Sequence, residues 1–233
     1  MEIEILELID GARQAKGAAV VIDVFRAFTL ESYLLAAGAE KIYPIADLEE
    51  AFALKAAHPE YILFGERGGA RIEGCDFGNA PSDIRGMDFA GKTLIHTTSA
   101  GTQGLAAAAK AGAGPLFAGA LTTAKATARC LQRIAPETVS LVAMGNAGTS
   151  PAGEDRLCAE YLRALLTDEP FPIKERAAAL RYGAGAKFFD PDRQAVFPMG
   201  DFPMCVDVDC FDFAVEAVFR NGRLCTQKAG RAL

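Results

Sequence analysis

The stretch Val20-Val21-Ile22-Asp23-Val24-Phe25-Arg26-Ala27-Phe28-Thr29 decides the fold that we predict for this chain. It begins with β-branched apolar residues, which are typical of a buried strand in a parallel sheet. The strand ends at a carboxylate, an arginine follows three residues later, and Thr29 can open a helix. Ligands of open α/β sheets gather outside the carboxyl ends of the strands, so Asp23 and Arg26 are candidate functional residues. The alternative is a structural role, because acidic residues are also common at helix starts.

Strands and helices alternate along the rest of the chain. We predict strands over residues 2–6 (an edge strand), 20–24, 41–44, 61–64, 93–97, 116–118 and 139–144. Helices are predicted over residues 29–37, 47–57, 103–111, 154–165 and 174–181, and from a cap at Thr122 or Thr123 to residue 134. Residues 11–17 and 65–83 are predicted loops, and Asn221-Gly222 predicts a hairpin between 214–220 and 223–227.

This alternation predicts an α/β fold, with helices layered on both faces of a mainly parallel, mixed sheet. Residues 1–233 form a single unit, which could comprise two similar α/β lobes with a boundary near residues 112–120. The formal net charge is −6 without a basic block, which argues against a nucleic-acid partner but permits a small anionic substrate. Oligomeric state stays open, although the hairpin could offer an edge for pairing with a second copy.

Membrane insertion and secretion are not expected. The chain lacks a run of about 18 apolar residues, and its first residues lack the basic and apolar regions of a secretory signal. We therefore expect a cytoplasmic protein. The six cysteines have irregular spacings, which favours reduced, packed thiols over a zinc site.

Four acidic residues stand at junctions between strands and loops or helices: Asp23, Glu66, Glu154 and Asp155. Mg²⁺ takes oxygen ligands, typically one or two carboxylates together with substrate phosphate oxygens. A structural alternative exists for Glu154 and Asp155, because acids in the first turn of a helix offset its dipole. Glu66 follows a strand in a glycine-flanked turn, where that explanation does not apply.

Groups that favour anions lie next to these acids in the sequence. Arg26, Arg67 and Arg71 carry guanidinium groups, which match phosphate or sulfonate in a two-pronged way; a salt bridge to a neighbouring acid is the alternative. The turn Thr97-Thr98-Ser99-Ala100-Gly101-Thr102 leads from a strand into a helix, so its N–H and hydroxyl groups could cradle an anion. His96 is flanked by apolar residues, and we expect a packed, hydrogen-bonded histidine.

Several common phosphate-binding patterns are missing. The chain has neither the Gly-x-x-x-x-Gly-Lys-Ser/Thr sequence of a P-loop nor the Gly-x-Gly-x-x-Gly spacing of a dinucleotide site. Phe25 stands where haloacid-dehalogenase phosphatases carry a second Asp. Cys225 and Arg231 have the Cys-x5-Arg spacing of another phosphatase class, but only two residues follow Arg231, so we regard this match as chance.

Five segments, in order along most of the chain, resemble motifs of one family: Ile22-Asp23-Val24-Phe25-Arg26-Ala27-Phe28-Thr29, Gly65-Glu66-Arg67-Gly68-Gly69, Asp76-Phe77-Gly78-Asn79-Ala80-Pro81, Thr97-Thr98-Ser99-Ala100-Gly101-Thr102 and Glu154-Asp155-Arg156-Leu157-Cys158-Ala159. The family is ComB. The resemblance implies an Mg²⁺-dependent phosphatase that hydrolyses 2-phosphosulfolactate to sulfolactate and phosphate in coenzyme M biosynthesis.

The resemblance also implies roles for the residues. Asp23, Glu66, Glu154 and Asp155 would surround one Mg²⁺, with Asp23 as a ligand or a covalent nucleophile. Arg26 and Arg67 would neutralise the phosphoryl group. The carboxylate or sulfonate end would be held by Arg71, Asn79, Thr97, Thr98, Ser99, Gly101 and Thr102.

Polar groups of the ComB pattern are replaced at four positions: Phe28, Gly68, Ala80 and Ala100. Two alternatives therefore stay open. One is a phosphatase for another small phospho-carboxylate, and the other is a non-catalytic anion-binding protein on the same scaffold.

Overall fold

The strand predicted from the apolar run is β2 (Ala18–Ile22), and all of its residues are buried. The computed structural model describes residues 1–230, within which β2 belongs to a mixed ten-stranded sheet. Arg231 of the Cys-x5-Arg pattern lies outside these residues. The other strands are β1 (Glu2–Glu7), β3 (Lys41–Pro44), β4 (Ile62–Arg67), β5 (Ala70–Arg71), β6 (Thr93–Thr97), β7 (Leu116–Gly119), β8 (Thr138–Ala143), β9 (Val215–Arg220) and β10 (Arg223–Lys228).

The sheet consists of two blocks of parallel strands that a hairpin joins. The strand order is β1-β8-β2-β7-β9-β10-β3-β6-β4-β5. Strands β1, β8, β2 and β7 form one parallel block, and β3, β6 and β4 form the other. The pairings β7/β9, β9/β10 and β10/β3 are antiparallel, so the two blocks run in opposite directions. The predicted α/β fold with a mainly parallel, mixed sheet is confirmed.

The hairpin of β9 and β10 lies inside the sheet. Asn221 and Gly222 form its turn, and their φ angles of 52° and 75° suit the type I′ turn that this dipeptide favours. The outer sides of the hairpin pair with β7 and β3, so it does not offer the free edge considered for a second copy. Strand β7, which lies within the predicted boundary region of residues 112–120, pairs with β2 in the same sheet.

Helices cover both faces of the block that contains β2. They are α1 (Leu8–Gln14), α2 (Ala27–Ala36), α3 (Leu48–Ala57), α4 (Gly101–Lys110), α5 (Ala124–Ile134), α6 (Gly153–Thr167), α7 (Ile173–Ala179) and α8 (Asp201–Cys205). Ala19 and Val21 belong to the apolar cluster of α2 and α4, whereas Val20 and Ile22 belong to that of α5 and α6. Of the helices in residues 1–230, none is long and apolar enough to cross a bilayer.

Two predictions near the N-terminus are corrected by the structure. The predicted loop over residues 11–17 overlaps α1, because Gly11 lets this helix lie close to β1: an added Cβ would be 3.0 Å from Leu6 Cβ. The helix predicted over residues 29–37 is α2, which begins two residues earlier, at Ala27, and is buried almost all round. This helix packs against β7, α4 and two short 3₁₀ helices, Pro81–Ile84 and Leu121–Thr123.

The predicted loop over residues 65–83 is partly ordered. Strand β4 continues to Arg67 and pairs with β5 through a tight turn at Gly68 and Gly69, whose φ angles are 60° and 87°. Glu66 therefore lies at the end of a strand rather than in a free loop. This position fixes its side chain relative to the sheet.

Candidate active site

The four acids singled out from the sequence line one cavity of about 330 Å³. Asp23 follows β2, Glu66 ends β4, and Glu154 and Asp155 begin α6. Asp23, Glu154 and Asp155 come from one parallel block, and Glu66 comes from the other. The carboxyl ends of two oppositely directed blocks therefore open into the same cavity. Five strands lie between β2 and β4, and the twist that accumulates across them can bring these ends together.

Asp23 is held by the first turns of two helices. Its Oδ2 accepts a hydrogen bond from Gly101 N at 2.9 Å, and its Oδ1 accepts one from Ala27 N at 3.3 Å. These amides begin α4 and α2, where unpaired N–H groups and the helix dipole favour a negative charge. The carboxylate is thereby fixed at the cavity wall.

Asp155 and Glu154 are adjacent but differently bound. Asp155 accepts hydrogen bonds from Val24 N and Gly145 N, both at 2.8 Å, so it ties the start of α6 to the ends of β2 and β8. Glu154 is buried, and its Oε2 has no hydrogen-bond partner among residues 1–230. An unpartnered buried carboxylate oxygen is costly, so this oxygen is a candidate ligand for a cation.

Glu66 is held by two turns, one that follows β4 and one that precedes α4. Its Oε1 accepts a hydrogen bond from Ser99 N at 2.7 Å, and its Oε2 accepts one from Gly69 N at 2.7 Å. Ser99 Oγ donates a longer bond of 3.3 Å to Oε2. The turn expected to cradle a ligand anion therefore presents its amides to the protein's own acids, Glu66 and Asp23.

Burial raises the pKa values of three of these acids, and neighbouring carboxylates add to the shift in two of them. Burial, reinforced by the charge of Glu66, raises the pKa of Asp23 to about 6. Burial and the charges of Asp23 and Glu154 raise the pKa of Asp155 well above its usual value. Burial also raises the pKa of Glu154, although Lys187 opposes this shift. A bound cation would relieve this repulsion.

Arg26 lines the cavity but is already paired. Its guanidinium donates to Asp201 Oδ2 at 2.7 Å and to Gly69 O at 2.7 Å, and both charged side chains are buried. Asp201 also accepts hydrogen bonds from the amide and hydroxyl of Ser82. These contacts therefore hold the positive charge of Arg26 at a fixed position in the cavity wall.

Residues 183–204 contribute a wall of the cavity that was not predicted from the sequence. Short helices in this segment, Ala184–Phe189 and Pro191–Arg193, bring Lys187, Arg193 and Phe197 to the cavity. The segment has no strand or helix period, so periodicity could not identify it. The available signal was its mixture of basic and aromatic residues.

Several predicted site residues do not line this cavity. Thr97, Thr98 and Thr102 are buried; Thr98 and Thr102 bond each other, and Thr97 Oγ1 accepts a bond from Arg67. Arg71 donates to Cys75 O and lines a neighbouring pocket together with Asn79. The three threonines therefore hold the turn between β6 and α4 and the side chain of Arg67, and Gly101 binds Asp23 without lining the cavity. Ser99 and Asn79 do line the main cavity.

Asn79 is positioned by a buried chain of hydrogen bonds. Its Oδ1 lies 3.1 Å from His96 Nε2, and His96 Nδ1 lies 2.9 Å from Glu31 Oε1. Thr226 Oγ1 donates to the other Glu31 oxygen at 2.7 Å. His96 is thus packed and hydrogen-bonded as expected, and it orients an amide that faces the cavity.

The donor set fits a hard divalent cation. Every candidate ligand is a carboxylate oxygen, and hydrogen-bonded oxygens keep a further lone pair. Within residues 1–230, no group of three or more His, Cys, Asp or Glu side chains forms a ready-made metal centre. Mg²⁺ does not require one, because it usually keeps several waters and shares substrate phosphate oxygens.

Comparison with known proteins gives consistent similarities. Residues 3–189 match the family model described as 2-phosphosulpholactate phosphatase. A probable 2-phosphosulfolactate phosphatase of Bacillus subtilis (strain 168) is 34% identical over 205 residues, which cover 84% of this chain and 85% of that protein. A protein of the same name from Carboxydothermus hydrogenoformans is 38% identical over 171 residues, covering 72% and 69%. The family match includes all four acids and ends before Arg193, Phe197 and Asp201.

Proposed function

The chain belongs to the 2-phosphosulfolactate phosphatase family and is a phosphoric monoester hydrolase, and from this we propose that it hydrolyses 2-phosphosulfolactate to sulfolactate and phosphate with Mg²⁺. We further propose, from the family resemblance, that the reaction is a step of coenzyme M biosynthesis. Asp23, Glu66, Glu154 and Asp155 are the residues that would surround the metal.

The observation that carries this proposal is the charge of the cavity. Four carboxylates line a space that would receive an anionic phosphoryl group. Like charges at close range repel strongly where water is excluded, so a cation bound between these acids and the phosphoryl group would reduce their repulsion. The unpartnered Glu154 Oε2 supports the same conclusion, because it supplies an oxygen ligand with no other role among residues 1–230.

The chain's own residues supply position and charge for the reaction. Glu154 is the residue that would hold the ion directly, and Asp23, Glu66 and Asp155 would help to hold it, directly or through water. Mg²⁺ would add positive charge at the phosphoryl oxygens and bind water. In hydrolysis, an oxygen nucleophile attacks phosphorus and the bond to the ester oxygen breaks. The nucleophile is water, which loses a proton while the departing ester oxygen gains one, or a carboxylate oxygen of Asp23, which the two amide hydrogen bonds hold in place. In the second case, water then hydrolyses the aspartyl phosphate, which releases phosphate and restores the carboxylate.

The test is phosphate release from 2-phosphosulfolactate by the purified protein with Mg²⁺, with and without EDTA. We expect turnover that EDTA abolishes, and a loss of at least about a hundredfold in Asp23→Asn and Glu154→Gln. Glu137→Gln is the matched control, since Glu137 is exposed and belongs to neither the cavity nor its wall. Turnover of 2-phospholactate but not of 2-phosphosulfolactate would contradict the proposed substrate. Binding of phosphate without any turnover would contradict the catalytic proposal.

A further inference from the structure

Three cationic side chains surround one aromatic ring at the cavity wall. The guanidinium carbon of Arg26 lies 5.0 Å from the centre of the Phe197 ring, Lys187 Nζ lies 5.2 Å from it, and the guanidinium carbon of Arg193 lies 4.6 Å from it. Each contact is favourable by itself, because ring faces attract cations. Together, however, the contacts bring like charges close to one another.

Only one of these charges is fully balanced. Arg26 is bound to Asp201 as described. Lys187 Nζ lies 3.9 Å from Glu154 Oε1, beyond hydrogen-bonding distance, and has no closer carboxylate within residues 1–230. The faces of Phe25 and Phe188 also lie within 6 Å of this ammonium group. Arg193 is exposed at the opening of the cavity. Lys187 and Arg193 therefore present positive charge that an anion from outside the protein can bind.

The proposed substrate carries such an anion in the required place. Its phosphoryl and sulfonate groups are attached to neighbouring carbons, so a sulfonate subsite has to lie directly beside the acids that serve the phosphoryl group. Lys187 meets this requirement through its distance of 3.9 Å from Glu154. Arg193 can complete the subsite, because a guanidinium donates to two sulfonate oxygens at once.

We propose that Lys187 and Arg193, held together by Phe197, form the subsite that binds the sulfonate and thereby select 2-phosphosulfolactate over 2-phospholactate. The inference rests on the proposed function. Lys187 lies within the family match, whereas Arg193 and Phe197 follow its end at residue 189. Phe197 acts as a positioning residue for the two cations.

The first test compares kinetic constants of Lys187→Met and Arg193→Met on both phosphoesters. Methionine keeps the apolar contacts of the side-chain stem and removes the charge. We expect each variant to raise KM for 2-phosphosulfolactate at least tenfold and to lower the ratio of kcat/KM for 2-phosphosulfolactate to kcat/KM for 2-phospholactate at least tenfold. Arg181→Met is the control, because Arg181 also stacks on a ring, that of Phe189, but is exposed away from the cavity.

The second test measures equilibrium binding of sulfolactate and lactate by calorimetry, without metal. We expect sulfolactate to bind more tightly than lactate to the wild type, and each variant to remove this difference. Equal losses on both phosphoesters, an unchanged sulfolactate affinity in the variants, or no preference for sulfolactate in the wild type would overturn the inference. Failure of the proposed function is a different result, namely a wild-type protein that does not hydrolyse 2-phosphosulfolactate at all.

Discussion

At the scale of single residues, Asp23 shows how the protein maintains an unfavourable charge. Its carboxylate is buried near Glu66, which raises its pKa, and two helix amides partly compensate. Asp23 could be identified from the sequence because it follows an apolar strand. Its hydrogen-bond partner, the amide of Gly101, could not be predicted, because Gly101 is 78 positions away in the chain.

This charge predicts a dependence of stability on pH. The pKa of Asp23 is about 6 in the folded protein against an ordinary value of 3.8, so the folded state binds more protons between these values. The free energy of unfolding therefore falls as pH rises from about 4 to about 6. Asp23→Asn should remove this contribution, which amounts to up to about 3 kcal/mol.

Urea unfolding in metal-free buffer between pH 4 and 7 provides the measurement. The wild type should lose stability relative to Asp23→Asn as pH rises across this interval. Parallel curves for the two proteins would show that the Asp23 carboxyl is not perturbed by its surroundings.

At the scale of elements, the site depends on how closely α4 approaches the end of β2. A Cβ added to Gly101 would lie 3.0 Å from Asp23 Oδ2 and 2.9 Å from Phe28 Cζ. Strands and the hairpin could be predicted because β-branched runs and Asn-Gly have strong local preferences. Helix α1 was not predicted, because its burial depends on partners distant in sequence.

The close approach of α4 predicts that Gly101→Ala inactivates the enzyme more than it destabilises the fold. The added methyl group displaces the Asp23 carboxylate, so we expect kcat to fall at least tenfold with a stability loss of about 1–3 kcal/mol. Gly114→Ala is the matched control, because a Cβ there meets no atom within 4 Å. Normal kcat in Gly101→Ala would indicate that the position of Asp23 is unimportant for turnover.

At the scale of the whole molecule, the cavity lies where two oppositely directed blocks of strands meet. Asp23, Glu154 and Asp155 belong to one block and Glu66 to the other. The rule that functional residues follow strands located all four acids, but it could not predict that the two blocks open into one cavity. That convergence depends on the hairpin, and the wall formed by residues 183–204 had no sequence signal specific enough to predict it.

This arrangement predicts that the folded protein gains stability from Mg²⁺. A ligand present at a hundred times its Kd stabilises the folded state by about 2.7 kcal/mol. For a chain of this size, the melting temperature should rise by about 5–10 °C. Differential scanning calorimetry of the wild type and Glu154→Gln, with Mg²⁺ or EDTA, measures the effect. An equal rise in both proteins would place the ion elsewhere.

The position of the β9–β10 hairpin has a consequence for biosynthesis. The hairpin lies between β3 and β7, which end at Pro44 and Gly119, whereas the hairpin itself begins only at Val215. On the ribosome, β7 and β3 therefore emerge long before the strands that cover their edges, and they stay open to pairing with other nascent chains. Completion of the sheet, and with it of the catalytic cavity, is a late event in translation.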